Sequence, residues 1–135
     1  MGDAARLFMV EIRVVDWRRS VAWYRDVLGL RVALEDPAGG FALLEAGSGG
    51  GRVAIKGGSA GATGDRAGCR LVFEVEDVDR LGAELAARGV AVAGPFASAE
   101  GYREVRVVDP DGTAIGLFSW GRPGPGGRPA TSSAN

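Results

Sequence analysis

One local order occurs twice in this chain, and the repeat restricts the fold more than any other feature. In residues 10–14, Val10, Ile12 and Val14 share one face of an alternating strand, while Glu11 and Arg13 share the other with Met9. Asp16 follows as a helix N-cap. Trp17, Val21, Tyr24 and Leu28 then form an apolar stripe over a helix of residues 17–28, closed by Gly29. The order returns from residue 69. Leu71, Phe73 and Val75 alternate with Arg70, Val72 and Glu74, Asp77 takes the capping position, Val78, Leu81 and Leu85 mark a second helix, and Gly89 ends it. Asp16 and Asp77 stand 61 positions apart and the two glycines 60. Val53 and Ile55 match Ile115 and Leu117 at an offset of 62. A near-constant offset across a whole element order marks a duplicated supersecondary unit.

Short apolar runs complete each copy. Residues 32–34, 41–45 and 52–56 read as strands after the first helix, and residues 90–93, 103–108 and 113–119 after the second. Asp109-Pro110-Asp111-Gly112 is a tight-turn sequence between the last two. The expected fold class is therefore α+β, with two βαβββ modules in one domain over residues 7–120. The modules fall at about 7–56 and 69–120. Residues 57–68, rich in small residues, read as a flexible linker, and residues 121–135, without an apolar anchor, as a disordered tail.

Composition removes whole classes of function. Sixteen basic against 17 acidic residues give a formal charge of -1, which lacks the electrostatic footprint of a nucleic-acid binder. No histidine is present, so this chain supplies no imidazole base, no Ser/His/Asp triad and no imidazole metal ligand. Cys69 stands alone, which rules out an intrachain disulfide, and at the start of an apolar strand it reads as a small core residue. No apolar run approaches the roughly 18 residues of a membrane span, and no leader pattern opens the chain, so a cytoplasmic protein with no membrane partner is expected. Lys56 is the only lysine. The arginine excess suits carboxylate or phosphate recognition, and a GC-rich coding bias produces the same excess.

Four segments carry a family resemblance: Val14-Val15-Asp16; Ser20 with Trp23-Tyr24-Arg25-Asp26-Val27-Leu28-Gly29-Leu30; Phe73-Glu74-Val75-Glu76-Asp77-Val78; and Asp109-Pro110-Asp111-Gly112. In this order, over about residues 9–119, they resemble the vicinal oxygen chelate superfamily of glyoxalase I, bleomycin-resistance proteins, fosfomycin-resistance enzymes and extradiol dioxygenases. The resemblance implies a curved, eight-stranded, half-open barrel-like sheet around a cleft, helices outside, and a homodimer, side by side or strand-swapped, whose groove is often shared between subunits. Its metal-dependent members place His, Glu or Gln ligands on the first and last strands of each module. The matching positions here are Met9, Ala54, Arg70 and Gly116, none of which suits a divalent cation. A register slip of two brings in Glu11 and Glu74, but with Arg52 or Lys56 and Ala114 or Phe118 beside them. Neither metal nor other cofactor is expected.

If Val10, Ile12 and Val14 pack on the helices, alternation aims Met9, Glu11 and Arg13 into the cleft, with Arg70 and Glu74 from the matching strand, Arg106 from the seventh, and Arg52 and Lys56 from the fourth. Phe96, Tyr102, Phe118 and Trp120 fall near its rim. Two functions from different classes fit. One is a metal-free binder that sequesters a drug or metabolite without turnover, as in antibiotic resistance, with an anionic or neutral aromatic ligand suiting these arginines better than cationic bleomycin. The other is a metal-independent enzyme, isomerase- or lyase-like, in which Glu11 or Glu74 is the general base and Arg13, Arg70 or Arg106 stabilises negative charge. Those arginines would lower the carboxylate pKa that such a base needs raised, which favours the binder. The same charges could instead pair among themselves, Glu11 with Arg70 and Arg13 with Glu74.

Overall fold

The structure is a computed structural model and describes residues 7–58 and 69–120. The linker expected at 57–68 falls almost wholly outside the described residues, and the tail at 121–135 entirely so. The element order is β1 (Val10–Val14), α1 (Trp17–Asp26), β2 (Arg31–Asp36), a 3-10 turn (Pro37–Gly39), β3 (Phe41–Glu45) and β4 (Arg52–Gly57). The second copy runs β5 (Leu71–Glu74), α2 (Val78–Ala87), β6 (Ala93–Ala97), β7 (Tyr102–Val108) and β8 (Ala114–Trp120). These form two compact units, each a four-stranded mixed sheet with one helix. The sheet orders, β1-β4-β3-β2 and β5-β8-β7-β6, repeat one another. This is the duplicated βαβββ architecture that the repeat predicts.

In the first unit β1 runs parallel to β4, Val10 opposite Val53 and Ile12 opposite Ile55. The other pairings are antiparallel, with Ala42 opposite Ile55 and Leu44 opposite Val53. Ile12, Val14, Ala42, Leu44, Val53 and Ile55 are all buried. They make the face that α1 covers, a large side chain among them contributing about 1.5–3 kcal/mol. Asp16 caps α1 by accepting from the Arg19 N–H at 3.2 Å. The helix stops at Asp26, two residues short of the expected end, and Gly29 at φ 74° turns the chain into β2. Val21 and Tyr24 of the apolar stripe are buried, whereas Trp17 and Leu28 are only half-buried. Trp17 lies against Gly40 and Gly57, where a Cβ would meet its ring at 3.5 and 3.3 Å.

The turn at residues 109–112 clusters with the first unit, although it links β7 to β8. The Tyr24 hydroxyl donates to the buried Asp109 carboxylate at 2.7 Å, the Val15 N–H donates to Asp111 at 3.0 Å, and the Arg19 guanidinium donates to the Pro110 carbonyl at 3.2 Å. Two widely separated motifs of the sequence thus form one hydrogen-bonded junction.

In the second unit Leu71 lies opposite Ile115 and Val107 opposite Ile115 from the other side. Val105, Val107, Ile115 and Leu117 are buried, as are Val78 and Leu85 of α2. Asp77 caps α2 through the Arg80 N–H at 3.1 Å, and Ser119 accepts from the Val78 N–H at 2.9 Å. Two expectations need correction. The sixth strand does not lie at 90–93 but at Ala93–Ala97, beginning where that stretch ends. Val90 donates to the Leu85 carbonyl at the helix end, and Val92 packs toward Gly82 of α2, so this apolar run seals the helix. The strand itself is an exposed sheet edge, where Pro95 leaves no central ladder bond unmade. Cys69 is exposed rather than a core residue, because it precedes β5 and lies outside the buried sheet.

Candidate functional site

Each sheet has a second face, opposite its helix, and alternation assigns most of the strands' charged residues to it, Glu35 and Arg103 being exceptions. In the first unit this face holds rows across the strands: Glu11, Ala54, Leu43 and Leu34; then Arg13, Lys56, Phe41 and Asp36. Its charges are largely matched locally. The Arg13 Nε lies 3.3 Å from the Glu11 carboxylate, Glu45 pairs with both Arg31 and Arg52, and Lys56 donates to the Gly39 carbonyl at 2.8 Å. Arg52 also stacks on Phe8, 4.6 Å from the ring centre. Met9 is half-buried just before β1.

The second unit's open face is organised differently. Gly116 stands at its middle, flanked by Val72 and Arg106, and the next row is Glu74, Phe118 and Glu104. Tyr102 and Trp120 pair beyond them. Glycine at 116 leaves room that two other residues fill: a Cβ there would lie 2.6 Å from both the Arg70 Nη1 and the Glu104 Oε2. Arg70 donates to that same oxygen at 2.6 Å and Arg106 approaches it at 3.4 Å. The Glu104 side chain is 8% exposed, while its two arginines are 43% and 48% exposed. Burial pushes the Glu104 carboxyl pKa up, but the hydrogen bonds and charges of Arg70 and Arg106 together outweigh it and hold the group below the usual carboxylate range. The Arg106 guanidinium also lies over Phe96, 4.7 Å from its centre. Beside this cluster Tyr102, Phe118 and Trp120 meet edge to face at 5.5 to 6.0 Å between centres.

Of the candidate residues, Arg70, Arg106, Tyr102, Phe118 and Trp120 therefore share one face, with Glu74 exposed at its β5 edge. Glu11 and Arg13 belong to the other sheet, with Met9 just before its first strand, and Glu11 is exposed too. Glu11 pairs with Arg13 of its own strand, and Arg70 pairs with Glu104. Glu104 escaped the sequence reading. Its signal was present, since it alternates in phase with Tyr102 and Arg106, but an acidic residue between arginines on a strand reads as a solvated charge.

The positions at which metal-dependent relatives carry ligands do not fit a metal here. Ala54 is fully buried without a donor atom, and the space over Gly116 holds the Arg70–Glu104 pair. Among the described residues no three His, Cys, Asp or Glu side chains come together in a way that could hold a metal ion.

A fold of two βαβββ units defines a class, and sequence comparison agrees. The chain belongs to the Glyoxalase/Bleomycin resistance protein/Dioxygenase superfamily, whose profile it matches over residues 6–117. Among solved structures it is similar to a protein of unknown function from Agrobacterium tumefaciens str. C58, at 32% identity and TM-score 0.70, covering 87% of this chain and 96% of that one. It is also similar in fold to TnmS3, an antibiotic binding protein from Streptomyces sp. CB03234 (23% identity, TM-score 0.74, 89% and 99% covered). A lactoylglutathione lyase from Agrobacterium tumefaciens shares the fold as well (19% identity, TM-score 0.68, 87% and 95% covered). No curated protein matches the chain significantly. No helix among the described residues is long and apolar enough to cross a membrane.

Proposed function

We propose that this protein binds a small organic molecule without a metal ion, sequestering a drug or metabolite in a cleft at or near a homodimer interface. The observation that carries the reading is the open face of the second sheet, where Arg70 lies over Gly116, a position that offers a metal nothing, and aromatic rings occupy the neighbouring rows. Charge-assisted hydrogen bonds and stacking are the two means by which a pocket orients a partly polar, flat ligand. TnmS3 lends support as an antibiotic binding protein on the same fold. The exposed positions of Glu11 and Glu74, with Glu104 held charged by its arginines, favour binding over general-base chemistry. Exposed Leu7 and Phe8, beside the β1 edge of the first sheet, are suited to a subunit contact.

Thermal-shift measurements against divalent metals, then against natural products and metabolites, test this. A ligand at about a hundredfold excess over Kd stabilises the fold by about 2.7 kcal/mol. Stabilisation is expected from an organic compound that is recovered unchanged after incubation, and not from any metal at stoichiometric concentration. Stabilisation by such a metal, or conversion of the bound compound, overturns the reading.

A further inference from the structure

Two guanidinium groups share one carboxylate on the second sheet, and that imbalance points to a ligand class. Arg70 and Arg106 both reach the same Glu104 oxygen, the second at only 3.4 Å. One negative charge thus holds two positive ones, and both arginines remain almost half exposed. Glu104 is the most buried of the three and accepts from both, which makes it a positioning residue for the pair. Phe96 supports Arg106 from one side through its ring face. Gly116 provides a floor without a side chain under Arg70, and its strand neighbours Phe118 and Trp120 continue the same face as aromatic surface with Tyr102. Glu74 is the other acidic group on this face. It stands across Phe118 from Glu104, at the solvent edge, and forms no ion pair among the described residues.

We propose that Arg70 and Arg106, held by Glu104 over Gly116, are an anion anchor that takes the carboxylate of a flat aromatic acid whose ring lies along Tyr102, Phe118 and Trp120. A guanidinium presents paired donors that match the two oxygens of a carboxylate, which a single amine does not. The carboxylate would answer the uncompensated positive charge, while Glu104, kept ionised, prevents the two arginines from repelling one another apart. Glu74 adds discrimination, since a second negative group on the ligand's far end would meet it.

This inference rests on the binding reading and narrows it. The test uses the full chain titrated with 2-naphthoate and with its neutral counterpart 2-naphthamide, by calorimetry and tryptophan fluorescence. Naphthoate is expected to bind at least about tenfold more tightly than naphthamide, the range of a charge-assisted hydrogen bond. In Arg106→Gln and Arg70→Gln that preference falls by about tenfold, and Arg70→Lys restores only part of it because the fork is lost. Circular dichroism and thermal unfolding establish that each variant is folded, and Arg70→Lys, which keeps the charge beside Glu104, serves where Arg70→Gln is not. Equal affinity for the two probes, or a preference indifferent to both arginines, overturns the anchor. Failure of naphthoate to bind while another small molecule does so overturns the anchor and leaves the binding reading intact; failure of every compound overturns both.

Discussion

Glu104 joins the chemistry of the site to the stability of its sheet. Replacing it by Gln removes the charge that two arginines share, and because both arginines are about half exposed, solvent screening limits the loss to about 1 kcal/mol at neutral pH. The pH dependence has a definite sign. A carboxyl held below its ordinary value of about 4.3 contributes fully above that value, and the contribution disappears as pH falls through the lower folded-state pKa. Urea unfolding of the native chain and Glu104→Gln should therefore differ by a constant amount at neutral pH and converge in acid. A gap that persists unchanged into acid would contradict the ion-pair account. Gly116→Ala probes the same point from the backbone side. The added methyl meets the far ends of the Arg70 and Glu104 side chains, so the loss should be that of one partly screened ion pair, about 1 kcal/mol. The Arg70–Glu104 contact should open, and the Glu104 carboxyl resonance should then titrate at higher pH than in the parent chain.

At the scale of elements, the strand–helix junction of the first unit depends on a turn from far along the chain. Tyr24 is fully buried and its hydroxyl is 2.7 Å from an Asp109 carboxylate that is itself buried. Tyr24→Phe deletes the donor and keeps the ring, so it should cost about 1.5–3 kcal/mol, the worth of a hydrogen bond to a charged group, read as a lower urea midpoint with unchanged slope. A near-zero cost would mean that this turn is not held by the tyrosine. The helices and most strands were legible from capping aspartates, apolar stripes and alternation, because those signals act within a few residues. The sixth strand was not. Hydropathy favours Val90 to Val92, yet the helix end and Gly82 take those side chains, and an edge built on Gly94 and Pro95 pairs with β7 instead.

For the whole molecule, the proposed homodimer predicts a solution mass of twice 13.9 kDa by light scattering, independent of dilution through the micromolar range. A monomer at those concentrations would remove the shared-groove part of the proposal. The family profile covers residues 6–117, and both units have the same strand order, so membership and architecture rest on the whole repeat rather than on one motif. Residue order alone was enough for the duplicated βαβββ plan, the capped helices, the lack of imidazole and the non-ligating side chains at Met9, Ala54, Arg70 and Gly116. Those follow from residue identity and short-range periodicity. Which polar groups meet depends on the folded chain: Glu11 pairs along its own strand, Arg70 reaches over Gly116 to Glu104, and Tyr24 finds Asp109. Such partners are chosen by strand register and by the space a missing Cβ leaves, and neither is written in the local order of residues.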